Sequence, residues 1–181
     1  MRKIFGSGHR EEAARKLYAG IVEQARQPSF FVACGLPDTV DGRFDLLVLH
    51  VFLVMHRLKR DRAETAELSQ ALFDVLFQDM DESLRRMGAG DMGVGHRIKA
   101  MAEGFYGRVL AYERALEQGE EALEHCVGRN LLGARDADPD QVQALAHYIW
   151  REVAALAAQD LARLAQGEVT FGPAPKPAPC G

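Results

Sequence analysis

Cysteine is nearly missing from this sequence. Its 181 residues hold three thiols, Cys34, Cys126 and Cys180, too few and too scattered for a disulfide framework or a Cys-x-x-Cys zinc site. That favours a reducing compartment. Serine is scarce and no Gly-x-Ser-x-Gly elbow occurs, which removes the common serine-nucleophile reading. Basic residues are outnumbered, 22 against 26 acidic, and a net charge of −4 leaves no footprint for nucleic acid. No apolar run approaches the ~20 residues of a membrane-spanning helix. The first six residues carry two charges without an apolar stretch behind them, so no secretory signal is expected. No strand signal and no internal repeat stand out.

What the chain does have is apolar helical periodicity. An apolar fraction of 48% is enough for a core without metals or disulfides, in one domain. The organising stretch is 35–50. Gly35, Pro37, Asp38, Asp41 and Gly42 spell a tight loop. The residues from 46 to 55 are then apolar everywhere except His50, so a helix over 43–60 must be buried on nearly all sides. Amphipathic helices are expected over 11–27 (Leu17, Tyr18, Ile21), 64–87 (Leu68, Leu72, Leu76, Leu84), 96–118 (Ile98, Phe105, Tyr112), 120–132, and from Pro139 to about 164. Basic residues at 57–62 suit the end of the central helix, and Gly88 and Gly90 mark the end of the next. The expected architecture is all-α. A single compact domain, 10–167, holds about six helices around the buried central helix, with a flexible arm at 1–9, a flexible corner at 88–95 and an extended, mobile and disordered Pro-rich tail at 168–181.

Several motifs point to chemistry and are better explained without it. Residues 88–93 spell Gly-x-Gly-x-x-Gly, but that motif binds nucleotides only between a strand and a helix, and here a helix precedes it. Six histidines form no His-Glu-x-x-His pair; Glu121 and His125 share a helical face, and two ligands do not make a metal site. His50 reads as a hydrogen-bonded core histidine. Cys34, beside Gly35, reads as a packed small hydrophobe unless a base or helix terminus activates it. What remains is a set of charges in apolar helices: Asp38, Arg43, Asp45, Arg57, Asp79, Asp81, Arg85, Asp91 and Arg108. They serve either as internal ion pairs, in which Arg43, Arg85 and Arg108 meet those aspartates, or as arginine forks that hold a partner's carbonyls or carboxylates.

The order of short blocks carries more information than any one of them. Gln24-Ala25-Arg26, Pro28-Ser29-Phe30-Phe31, Leu36-Pro37-Asp38-Thr39, Asp41-Gly42-Arg43-Phe44-Asp45 and Leu49-His50 are followed by Phe77-Gln78-Asp79-Met80-Asp81, Leu84-Arg85-Arg86-Met87-Gly88, Gly90-Asp91 and Phe105-Tyr106-Gly107-Arg108. This series, over roughly 15–115, resembles the ubiquinol–cytochrome c chaperone family. The resemblance implies a helical assembly factor rather than an enzyme, needing no cofactor. Mitochondrial members of that family bind newly made cytochrome b on its way into the bc1 complex (complex III). Without their long N-terminal extension, the chain looks like the compact bacterial version. It is then expected in the cytoplasm, at the inner membrane face through its client, cytochrome b or another bc1 subunit. Family and residue readings together select Phe30, Phe31, Asp38, Arg43, Phe44, Asp79, Asp81, Arg85, Asp91, Tyr106 and Arg108 as client-binding or scaffold residues. Two competing readings stay open: a helical cofactor carrier or small enzyme with a closed pocket, and a module that self-associates through its last long helix, which holds Trp150.

Overall fold

A helix that is apolar on every side has to be surrounded. In the computed structural model, which describes residues 7–88, 90–133 and 137–175 (the side chains of Ser7, Asp91 and Met92 excepted), that is what happens. Eight α-helices lie among the described residues: α1 (Ser7–Ala25), α2 (Ser29–Val32), α3 (Val40–Lys59), α4 (Arg62–Arg86), α5 (Asp91–Gln118), α6 (Glu120–Val127), α7 (Pro139–Ala157) and α8 (Leu161–Ala165). A π-helical turn, Gly128–Leu132, prolongs α6, and no strand occurs among these residues. α3 is the axis. Every residue from Leu46 to Val54 is buried, under α1, α4, α5 and α7. Burying each such side chain is worth about 1.5–3 kcal/mol relative to leaving it in water.

The start of α3 is fixed locally. The Thr39 hydroxyl accepts the Gly42 amide at 3.1 Å, and Asp41 in the first turn faces the positive end of the helix dipole. The loop before it folds so tightly onto this turn that the Pro37 carbonyl oxygen lies where a Cβ on Gly42 would be. At the other end Arg57 is buried. Its guanidinium donates to the carbonyls of Leu156 (3.0 Å) and Gln159 (3.1 Å) and to Asp61 (2.6 Å). These carbonyls close α7, so one side chain of α3 satisfies the orphan acceptors of another helix end.

Several boundaries differ from those expected. The loose arm does not extend to residue 9: α1 already begins at Ser7, and residues 1–6 lie outside the described residues. The corner at 88–95 is shorter, because residues 91–95 are the first turns of α5. The single helix expected from Pro139 to 164 breaks at 158–160, where Arg57 takes the last carbonyls and the Asp160 carboxylate caps α8 through the Ala162 amide (2.9 Å). The segment 29–32, expected to be irregular but packed, forms the short α2.

The tail differs most. Residues 168–175 are extended, as expected, yet they lie down on the domain, with Val169, Phe171 and Ala174 against the core; residues 176–181 lie outside the described residues. Side chains grip this strap by its backbone. Gln159 donates to the Thr170 carbonyl at 2.6 Å and accepts its amide at 3.1 Å. Glu152 accepts the Gly172 amide at 2.9 Å, and Gln24 donates to the Gly172 carbonyl at 2.9 Å. Glu152 is wholly buried, its charge balanced by Arg151 at 2.8 Å. The strap enters through Gly167, whose φ of +90° and 2.6 Å clearance to Lys16 Cβ leave no room for a side chain.

Under the strap lies a polar network of the core. The His50 Nδ1–H donates to the Leu46 carbonyl at 2.8 Å, so Nε2 is left to accept the Tyr148 hydroxyl at 2.7 Å. Tyr148 in turn accepts from Gln24 at 3.0 Å, and the rings of Phe30 and Phe171 meet His50 edge-on. Replacing Glu152 removes a charged acceptor that the strap and Arg151 share. Glu152→Ala is expected to lower stability by about 2 kcal/mol, measured by denaturant unfolding. Amide exchange should accelerate first at residues 170–173, while α3 stays protected.

Candidate functional site

The charged residues singled out by the sequence fall into three places. The first is the entry to α3. Asp38 and Arg43 pair at 2.6 Å on the surface, the Arg43 guanidinium lies 5.5 Å over the Phe31 ring, and its hydrogen bond holds the Asp38 carboxyl below the usual carboxylate range. Val32, next to Phe31 in the chain, and Val40, the first residue of α3, are exposed (81% and 57%). Phe30 and Phe44, selected as client-binding or scaffold residues, are buried in the core, where Phe30 meets the rings of His50 and Tyr148.

The second place is the face of α4 and α5. Asp79 is a joint between helices: it accepts the Tyr18 hydroxyl at 2.7 Å, tying α4 to α1, and burial with that carboxylate beside it pushes the Tyr18 phenol far up. Asp81 and Arg85 pair at 2.6 Å along the exposed side of α4. Next to them Phe73 packs on Phe77, Phe105 and Tyr106, with ring centres 4.6, 5.4 and 5.5 Å apart. Tyr106 and Leu110 carry this aromatic cluster out to solvent. The side chain of Asp91 lies outside the described residues.

The third place is half-buried. Asp45 of α3 and Arg108 of α5 pair at 2.6 Å through Arg108 Nη2 and Asp45 Oδ1, while Arg108 Nε has no hydrogen-bond partner among the described residues. Burial raises the Asp45 carboxyl to about 6, against the pull of Arg108. The Tyr112 hydroxyl, fully buried beneath them, is likewise unpartnered. Beyond Arg108 a groove of about 890 Å3 opens between α5 and α6. All three arginines expected to pair with aspartates do so, Arg43, Arg85 and Arg108 alike, though only the last pair is removed from water.

Nothing here assembles a catalytic centre. Burial pushes the Cys34 thiol up to about 11, so it stays protonated and inert. Gly88 and Gly90 join two helices rather than a strand and a helix. Among the described residues no cluster of three His, Cys, Asp or Glu side chains suits a metal ion, and no helix is long and apolar enough to cross a membrane. The apolar stripe of α7 (Leu145, Tyr148, Ile149, Leu156) is turned into the domain's own core.

Residues 32–171 match the family described as ubiquinol-cytochrome C chaperone. The chain belongs to that family. Its fold is also that of the crystal structure of the Cbp3 homolog from Brucella abortus, 34% identical, with 93% of each chain covered and a TM-score of 0.81. Two relatives named ubiquinol-cytochrome c reductase complex assembly factor 1 are similar over 164 residues: the Xenopus laevis protein (27% identical) and the human protein (24%). The alignments take in 89% of this chain, 81% of the frog protein and 54% of the human one. The family is one of chaperones and assembly factors, not of enzymes.

The sequence gives no sign of the roles of Gln24, Tyr148 and Glu152, because their hydrogen-bond partners lie 20 to 148 positions away in the chain. Two buried groups should be visible in solution. His50, neutral and driven down to about 4 by burial, makes stability rise with pH between about 4 and 6.5, since only the unfolded chain takes up its proton there. Asp45 has the opposite sign: the folded chain keeps its proton up to about pH 6, so stability falls as pH rises from about 4 to 6. The two slopes oppose each other in wild type. Asp45→Asn is expected to expose a rising melting temperature across this window, and His50→Gln a falling one, each followed by thermal unfolding in a pH series.

Proposed function

We propose that this protein is an assembly factor for the ubiquinol–cytochrome c reductase complex, and that it holds cytochrome b before that subunit joins the complex. The reading draws support from the family and from the names of its relatives. Recognition is assigned to the entry of α3. There a guanidinium fixed by Asp38 and by the Phe31 ring is accompanied by two exposed valines, Val32 next to Phe31 in the chain and Val40 at the start of α3. This is the observation that carries the reading. Apolar contact area and an oriented arginine sit on a loop already locked by Thr39 and Gly42, so little ordering entropy opposes binding. The client brings the protein to the cytoplasmic face of the membrane.

Tagged protein drawn from its own membranes is expected to recover cytochrome b, and Arg43→Glu to reduce that recovery about tenfold, as for loss of one oriented charged contact. The swap Asp38→Arg/Arg43→Asp separates recognition from scaffold. It restores the intramolecular pair with the charges exchanged. Recovery should stay low if Arg43 faces the client, whereas full rescue would make the pair structural. Absence of every respiratory subunit from a well-folded wild-type bait would leave a helical binding module without this client.

A further inference from the structure

The groove between α5 and α6 lies away from the α3 entry and has chemistry of its own. Its floor is made of small residues along one line of α5, Gly104, Gly107, Ala111 and Ala115, faced by Ala122 of α6. From residue 104 to 115 this line runs ~16 Å at the helical rise. Gly104 has a use within the fold, since its missing Cβ makes room for the Arg108 guanidinium 2.7 Å away. Gly107 has none. It is exposed, a Cβ there would meet nothing within 4 Å, and its backbone is helical, so glycine only weakens α5 relative to alanine. A glycine that the fold does not need, in the middle of a long helix, is accounted for by the close approach of something outside it.

The charges say what that something is. Arg108, Arg114 and Arg129 line the groove against a single carboxylate, Glu121. Neither Arg114 nor Arg129 has an ion-pair partner among the described residues, and Arg108 keeps its Nε free at the inner end. The wholly buried, unpartnered Tyr112 hydroxyl lies within electrostatic reach of Arg108 and Cys126, both of which line the groove, and of Asp45. Buried polar atoms without partners are rare in native folds. Two of them, Arg108 Nε and the Tyr112 hydroxyl, lie close together here, and Arg108 lines the groove. We propose that the groove is a docking site for one helix of a partner protein, a helix that presents small side chains to the floor and a carboxylate to Arg108, with Arg114 and Arg129 holding its acidic flank. A lone anion would satisfy the arginines but leave the long small-residue floor uncovered; a helix covers both, in the helix-in-groove mode.

The test uses the full chain with the photo-crosslinking residue p-benzoylphenylalanine introduced at Gln118, which is exposed at the end of the groove and outside its small-residue floor, so that Gly107 stays free. Irradiated in its host cells, the protein should form an adduct with another chain. The attached peptide, mapped by mass spectrometry, should lie in a helical segment with Asp or Glu within one turn. Charge reversal by Arg114→Glu/Arg129→Glu should lower the adduct yield about tenfold, with the milder Arg114→Gln/Arg129→Gln as a second variant should the first lose its melting transition. No adduct, attachment to a second copy of this chain, attachment to a non-peptide molecule, or a yield indifferent to both arginine variants would each overturn the proposal. Because the α3 entry is untouched, recovery of cytochrome b by these variants reports separately on the client site.

Discussion

The structure depends on one constraint: α3 has no face that tolerates water. From Leu46 to Val54 it is buried throughout, so α1, α4, α5 and α7 have to be amphipathic, and their polar sides become the outer surface. The two polar side chains buried along α3 are solved at long range. His50 finds Tyr148, 98 residues away, and Arg57 finds the Leu156 carbonyl, 99 residues away. Because both partners stand on α7, the same contacts that excuse polar atoms in the core also set the register of α7 against α3. A helix packed by leucine alone slides more easily than one pinned by two directional bonds.

The Arg–Asp pairs show how burial, rather than geometry, decides what a charge does. Asp38–Arg43, Asp81–Arg85 and Asp45–Arg108 all meet at 2.6 Å. The first two stand in water, where such pairs contribute little to folding and stay available to a partner. The third is half-desolvated, which raises the Asp45 carboxyl and leaves donors and acceptors around it unmatched. Polar groups left unmatched at the edge of the core are costly to leave alone.

Much of this was legible in the sequence, and the rest was not for identifiable reasons. The all-α class and the buried central helix follow from periodicity and from the unbroken apolar run around His50, and the family from the order of blocks such as 41–45 and 105–108. Pairing of Arg43, Arg85 and Arg108 with aspartates follows from charges set in apolar helices. The inward turn of Phe30 and Phe44 does not follow, because a short aromatic run looks the same whether it lines a rim or a core. Nor does the fixed strap. A stretch with proline, alanine and glycine reads as mobile until Gln24, Glu152 and Gln159 are seen to hold its backbone, and none of these lies beside it in the chain. The α5–α6 groove is hidden for the same reason: glycine and alanine at 104–115 look like ordinary helix filler until α6 is placed opposite.

The strap gives the molecule an order of completion. Gln24 and Gly172 are 148 positions apart, yet both the Tyr148–His50 network and the aromatic box around it are closed by residues 171 and 172. A chain emerging residue by residue can form α1 and α3 early, but their shared polar centre stays open to water until almost the last described segment arrives. Contacts of such long range come late and slowly. Maturity of the fold is therefore signalled by the seating of a few extended residues, and an unfinished molecule differs from a finished one by an exposed aromatic pocket that quality-control proteins are suited to notice.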